Sequence, residues 1–353
     1  MSAARVRAVR AHAPHAFHGR VDLLEVESAA LAGNALGDPH VRELPVYAPP
    51  PAASGATPPD EELPLFVVLP GFTGNGRGWF DTHPWWPGWI HAFDAAVRRG
   101  EAPRVRIAVP DCITRWGGSQ YVDSPAVGAY ETHVVDELVP LALEHAPGSR
   151  GRVALIGKSS GGFGALRLAL RHPGHFQACA SISGDCAFDQ HYPHEFLNAL
   201  RGLVTAEQSP AEFLAAFAER PNLAGDGHAV IYVLACAACY SPRDGAPSSA
   251  GLPFDLPFDL TTGELVPAVW ERWLAFDPLN LVDAHAEALR GLRRLWIECG
   301  VRDEFHLQWG ARRLSRLLEE AGVPHEHVEH PGGHRGIDAR YGAVLSALAP
   351  SLA

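Results

Sequence analysis

Residues 157–161, Gly157-Lys158-Ser159-Ser160-Gly161, could carry either of two kinds of chemistry. Gly-Lys-Ser ends the phosphate-cradling loop of nucleotide-binding proteins, where backbone N–H groups hold the phosphates and the hydroxyl holds Mg²⁺. Gly-x-Ser-x-Gly is a strand-to-helix turn that exposes a nucleophilic serine. The phosphate loop needs a glycine five residues before Gly157. That position is Arg152, and the intervening "RVALI" is apolar strand core rather than flexible loop. The nucleotide reading fails. The turn needs a strand before it, a helix after it and small residues around the serine. "RVALIG" (152–157), "GFGALRLALRH" (162–172), Gly157 and Gly161 meet those needs. Ser159 is therefore the expected nucleophile, at a helix N-terminus whose dipole favours developing negative charge.

A serine hydroxyl is a weak nucleophile without a base, and the base needs an acid to orient it. After the apolar run "RRLWIECG" comes "VRDEFHL", which offers Asp303 and Glu304. Asp303 stands before the expected helix and is preferred as the acid. Glu304 is expected one residue into the helix start, supporting its N-terminus. After "HEHVEH" comes "PGGHRG", which offers His334 as base. Ser, Asp and His then follow one another at the carboxyl ends of late strands, the chain order of a nucleophile-elbow hydrolase. A tetrahedral intermediate also needs two N–H donors. One is the backbone of Ser160. The other is expected from Phe72 in "PGFTGNGRGWF", with Thr73 as the alternative.

These residues need a scaffold that puts strand ends side by side. Strand-like runs, most of them apolar, occur at "VRELPVYAPP" (41–50), "LPLFVVLPG" (63–71), "VRIAVPD" (105–111), 152–157, "ACASISG" (178–184), 293–300 and "HEHVEHPGG" (325–333). Helical patterns lie between most of them: "HAFDAAVRRG", "YETHVVDELVPLALEH", 162–172, "ALRGL" and "LQWGARRLSRLLEEAG". Alternation of this kind predicts an α/β fold with a mostly parallel central sheet flanked by helices. The whole chain, 1–353, is expected to form one domain. Its aromatic, Pro-rich stretch 187–275 is expected to be a cap inserted between two late strands, shaping a pocket over the sheet's carboxyl edge.

Composition narrows the function classes. The formal charge is −11 with no basic cluster, which argues against nucleic acid or an anionic membrane as partner. Lys158 is the only lysine among 29 basic residues. No run approaches the ~18 apolar residues of a membrane span. "MSAARVRAVRAHAPHAFHGR" lacks the apolar centre of a secretory signal, so a cytoplasmic location is expected. Six scattered cysteines fit free thiols better than a disulfide scaffold. Cys236 and Cys239 form a lone C-x-x-C within apolar flanks, read as buried structural thiols. His325, His327 and His330 alternate along one strand without a carboxylate cluster, so no metal site is expected there, and no cofactor. "GWFDTHPWWPGW" (78–89) places five aromatics beside Phe72, either as core packing or as an apolar wall for a substrate.

"LPGF", "PDCITRWGGSQYVDSPAVGAYETHVVDELVP", "GKSSGGFGAL", "CGVRDEFHLQWG" and "HPGGHRGIDARY" fall in an order that resembles the putative-esterase family of the α/β-hydrolase superfamily. That family includes esterase D (S-formylglutathione hydrolase), enterochelin esterases, feruloyl esterases and mycolyltransferases. The resemblance covers roughly residues 20–350 and is weakest across 187–275. It implies the same triad, Ser159, Asp303 and His334, and the same N–H donors, Phe72 and Ser160. It also implies that "GGSQYVDS" (117–124) borders the substrate site, through Gly118, Ser119 and Tyr121, with Trp79 nearby. S-formylglutathione hydrolases carry His-Gly-Leu-Thr-Cys where this chain has Pro70-Gly71-Phe72-Thr73-Gly74, which argues against glutathione-linked substrates. The expected function is hydrolysis of a small-molecule carboxylic ester. The alternatives are acyl transfer of the mycolyltransferase type and, since no triad member is missing, less readily a non-catalytic binding protein.

Overall fold

The computed structural model describes residues 4–12, 17–51, 62–81, 85 and 88–353. Three strands come first: β1 (Arg5–His12), β2 (Arg20–Glu27) and β3 (Val41–Ala48). β4 (Leu65–Leu69), α1 (Trp89–Arg98) and β5 (Arg106–Ala108) follow, then a small hairpin of β6 (Asp123–Ser124) and β7 (Gly128–Ala129). A helical run passes from α2 (Tyr130–Thr132) through a π-helical turn (His133–Leu138) into α3 (Val139–His145). β8 (Val153–Lys158), α4 (Ser160–Arg171) and β9 (Ala178–Ile182) form the centre. Helices α5 (Phe188–Ala206), α6 (Pro210–Glu219), α7 (Gly227–Tyr240), α8 (Pro267–Leu274) and α9 (Pro278–Arg290) intervene before β10 (Arg294–Gly300). The chain closes with α10 (Leu307–Glu320), β11 (Glu326–His330) and α11 (Ala339–Leu348).

Among the described residues one nine-stranded sheet runs β1-β2-β3-β5-β4-β8-β9-β10-β11. From β5 to β11 every neighbouring pair is parallel, and β1 to β3 join β5 antiparallel. The expected mostly parallel sheet is present, extended by two strands that lie ahead of the first one expected at 41–50. β1 and β11 are the edge strands, and Arg5 and Arg10 of β1 pair with Glu27 and Glu43. Charges along an edge discourage pairing with another chain.

Strand side chains alternate between two apolar layers. Leu65, Val67 and Leu69 of β4 face the layer shared with α4, α9 and α10. Phe66 and Val68 face the layer shared with α1 and α11. Burial on both faces explains why these strands read as continuous apolar runs. The segment between β9 and β10 has an aromatic centre of its own. Trp273 packs edge-on against Tyr192 at 5.0 Å, and its Nε1 donates to Ser241 Oγ at 2.9 Å. No helix of the described residues is long and apolar enough to cross a membrane.

Candidate active site

The parallel ladder holds β8 straight to Lys158, and α4 begins at Ser160. One residue, Ser159, makes the turn between them, at φ 58° and ψ −129°. A non-glycine residue in that region stores roughly 1–3 kcal/mol of strain, sustained by the surrounding structure. Here Ser159 N–H donates to Ile182 O at 3.0 Å, and Phe163 N–H donates to Ser159 O at 2.9 Å. A Cβ on Gly157 would lie 2.0 Å from Gly161 O, and one on Gly161 would lie 2.0 Å from Leu69 O. Only glycine fits either place, which is why the motif has the form Gly-x-Ser-x-Gly.

His334 reaches this serine from the loop after β11. Its Nε2 lies 3.0 Å from Ser159 Oγ, and its Nδ1 lies 2.8 Å from Asp303 Oδ2. Asp303, in the loop after β10, also accepts the Phe305 N–H on Oδ1 at 2.9 Å. Burial alone would raise the Asp303 pKa, but the hydrogen bond and charge of His334 and the Phe305 N–H outweigh it, so the carboxyl stays below its usual value. The Phe305 ring stands edge-on to the imidazole at 4.8 Å.

Glu304 differs from expectation. It lies three residues before α10 rather than inside its first turn, and its Oε2 accepts the backbone N–H of His334. That hydrogen bond holds its pKa below the usual value. Gly333 makes the approach possible, since a Cβ there would sit 2.5 Å from Glu304 Oε2. Glu304 braces the loop that carries His334.

The loop after β4 abuts the elbow, where a Cβ on Gly71 would meet Lys158 O at 3.2 Å and Ser159 Cβ at 3.4 Å. Of the two N–H groups weighed there, that of Thr73 is already given to Gly117 O at 3.0 Å. The Phe72 N–H has no acceptor among the described residues. Ser160 is the first residue of α4, so its N–H has no intrahelical acceptor. Phe72 and Ser160 therefore keep the donors that an oxyanion would need.

Ser159 and His334 open onto a cleft of ≈ 270 Å³. Trp79 lines it, together with Phe72, Phe305 and Tyr341. Trp79 packs against both Trp89 and Tyr341, so within 78–89 Phe80 and Trp89 serve as core and Trp79 as wall, while Trp85 is exposed. Trp86 of that stretch lies outside the described residues. Gly118, Ser119 and Tyr121 do not line the cleft. They surround a small cavity behind the Phe72 loop, where the Phe72 ring packs on Gly118 and Tyr121 Oη donates to Pro70 O at 2.5 Å. They brace the Phe72 loop.

Sequence reasoning missed Asp185, His191, His228 and Tyr232 on one wall, and Lys158, Arg335 and Asp338 on the other. Lys158, the unique lysine, lies 3.5 Å from Asp338 Oδ1. Asp185 carried a usable signal, because it follows an apolar strand and a glycine in "SISGD" as Asp303 nearly does in "IECGVRD".

Among the described residues no group of three or more His, Cys, Asp or Glu side chains could hold a metal. Both His325 ring nitrogens are engaged, with Ser315 Oγ at 2.8 Å and Val323 O at 2.9 Å. All six cysteines are buried and free. Burial pushes Cys236 up to about 12, and the neighbouring Cys239 donates to Ser119 O at 3.3 Å.

The sheet order, the elbow and the loops after β8, β10 and β11 define an α/β-hydrolase fold. Three solved structures share it over nearly the full chain. A ferulic acid esterase matches with TM-score 0.56 and 19% identity, covering 96% of this chain and 100% of its own. An S-formylglutathione hydrolase from Agrobacterium tumefaciens matches with TM-score 0.54 and 18% identity, covering 99% and 100%. A fluorophosphonate-binding serine hydrolase from Staphylococcus aureus matches with TM-score 0.55 and 16% identity, covering 95% and 99%. No curated protein sequence matches. The chain belongs to the esterase family described as "Putative esterase", which it matches over residues 42–338. Its class is that of the carboxylic ester hydrolases.

Proposed function

We propose that this chain is a serine esterase working through an acyl-enzyme, with Ser159 as nucleophile, His334 as general base and Asp303 as the orienting acid. The reading rests above all on the unbroken hydrogen-bond chain from Asp303 Oδ2 through His334 to Ser159 Oγ at the floor of the cleft. Asp303, kept ionised, accepts from His334 Nδ1–H and so leaves Nε2 bare to take the serine proton. Ser159 Oγ attacks the ester carbonyl, and the N–H groups of Phe72 and Ser160 stabilise the oxyanion. His334 then passes its proton to the leaving alcohol, and water repeats the cycle on the acyl-enzyme.

The cleft is close to the lower end of ordinary ligand pockets, roughly 300–1,000 Å³, so the partner is a small ester. The stretch 187–275 acts as a cap, contributing His191, His228 and Tyr232 to that cleft. Substituting the two adjacent serines tests the reading. Ser159→Ala should lower kcat on an aryl ester by up to about 10⁶-fold. Ser160→Ala should keep much of the rate, because it contributes its backbone. Equal losses in the two variants, or the larger loss at Ser160, would refute the assignment.

A further inference from the structure

The reaction just described leaves one wall of the cleft unused. Asp185 lies in the turn after β9, His191 on α5 and Tyr232 on α7, and all three are at least nine-tenths buried while lining the cleft. Tyr232 Oη lies 2.9 Å from Asp185 Oδ2 and 3.2 Å from His191 Nε2, with Tyr192 Oη a longer contact at 3.4 Å. His191 Nδ1 lies 3.3 Å from Phe305 O.

Proton counting limits what this chain can be. A carbonyl only accepts, so His191 Nδ1 carries a proton. The remaining protons then make either an imidazolium and a carboxylate bridged by Tyr232, or a wholly neutral chain. Burial dominates both end groups and moves both toward neutrality. It raises Asp185 against the pull of His191, Tyr232 and His334, and lowers His191 against the pull of Asp185, Glu195 and Phe305 O. In the neutral chain Asp185 carries its proton on one oxygen or the other. If Tyr232 donates to His191, then Oδ2–H donates to Tyr232 and Oδ1 is a bare acceptor. If Tyr232 donates to Asp185 instead, Oδ1 bears the proton and is a donor, and the bare His191 Nε2 receives no hydrogen bond from Tyr232. In both cases Oδ1 has no partner among the described residues, at the lining of a cleft meant for a ligand.

We infer that Asp185, set by Tyr232 and His191, is a specificity-determining residue that binds an uncharged hydroxyl group on a short ester substrate. A hydroxyl suits Oδ1 whether Asp185 is a carboxylate or carries its proton on either oxygen, because a hydroxyl both donates and accepts. An anionic group does not suit this wall, since the cations of the cleft, Lys158 and Arg335, come from the elbow and the loop after β11. A long chain does not suit the volume of ≈ 270 Å³. The cost of leaving Oδ1 unpaired by a substrate without the hydroxyl supplies the discrimination.

This inference rests on the esterase reading, and one set of assays separates the two. Two matched pairs place the hydroxyl on either side of the ester. The acyl pair is an aryl 3-hydroxybutyrate against the aryl butyrate. The alcohol pair is 2-hydroxyethyl butyrate against propyl butyrate. In one pair the wild-type kcat/KM should favour the hydroxylated ester by about 10-fold or more. Asp185→Asn, uncharged and of the same shape, should keep most of that preference, and Asp185→Leu should abolish it. Should Asp185→Leu fail to fold by circular dichroism, Tyr232→Phe replaces it and should weaken the same ratio. No preference in either pair, an unchanged ratio in Asp185→Leu (or in Tyr232→Phe where that stands in), or a loss in Asp185→Asn as large as in Asp185→Leu would overturn the inference. Absence of turnover of all four esters would instead overturn the esterase reading, and this inference with it.

Discussion

The rim of the parallel sheet and the helical segment between β9 and β10 face each other across the cleft, and they are built on different principles. At the rim, Ser159, Asp303 and His334 stand one, three and four residues beyond a strand end, so the ladder itself fixes their spacing. In the segment, His191, His228 and Tyr232 sit on two helices whose placement depends on aromatic packing around Tyr192 and Trp273. On the proposed reading, reaction chemistry is tied to backbone pairing, which tolerates almost no change, and selectivity to side-chain packing, which can be altered without moving the reacting groups.

That contrast predicts two kinds of failure. Rim substitutions should remove rate at constant stability, and Asp303→Asn should do so to a degree second only to Ser159→Ala. Without the carboxylate His334 can take the wrong tautomer, and kcat should fall by about 10²- to 10⁴-fold with a near-normal Tm. A rate within a few-fold of wild type would mean that another group orients the imidazole. Trp273→Ala should do the opposite. It empties a fully buried site in the segment and should cost about 3–5 kcal/mol in denaturant unfolding, while the folded fraction keeps most of its kcat. A kcat loss at constant stability would show that the segment takes part in the chemistry.

The support beneath the nucleophile gives a pH-dependent test. Glu131 on α2 pairs with Arg167 and Arg171 of α4 and with His172 just beyond it. Burial would raise its pKa, but His172 and the two arginines lower it far below the ordinary value. A depressed carboxylate contributes stability that is full above the unfolded value, about 4.3, and is lost as pH falls toward the folded one. Glu131→Gln should therefore lower Tm clearly near neutral pH, and the gap to wild type should narrow on acidification to about pH 3. A constant gap would deny the linkage. Glu304→Gln should have the smallest effect, because an amide oxygen can still accept the His334 N–H. Its kcat should stay within a few-fold of wild type, whereas Glu304→Ala should lose about tenfold. Equal losses for the two would mean that the charge matters more than the hydrogen bond.

The same contrast explains what could be read from residues alone. The central strands were legible because burial on both faces makes them apolar throughout, and the elbow because two glycines are sterically compulsory. Asp303 and His334 were legible because strand ends precede them. β1 and β2 were not, since the arginines of the edge strand β1 and the acidic Asp22, Glu25 and Glu27 of β2 break up the apolar pattern. Glu304 was misplaced because helix starts are among the least sharply encoded boundaries. Gly118, Ser119 and Tyr121 were expected at the substrate through resemblance, and only the packing of Phe72 shows that they stand behind the loop. Asp185 and Tyr232 lie 47 residues apart, and no local pattern announces that they meet.

The central claim is that Ser159 forms a covalent acyl-enzyme under activation by His334 and Asp303. Its most direct test is peptide mapping by mass spectrometry after treatment with an aryl phosphonate, run on wild type, Ser159→Ala and Asp303→Asn. The account predicts a single adduct on Ser159 in wild type, none in Ser159→Ala, and strongly slowed formation in Asp303→Asn. An adduct on Ser160, or labelling that persists in Ser159→Ala, would contradict it.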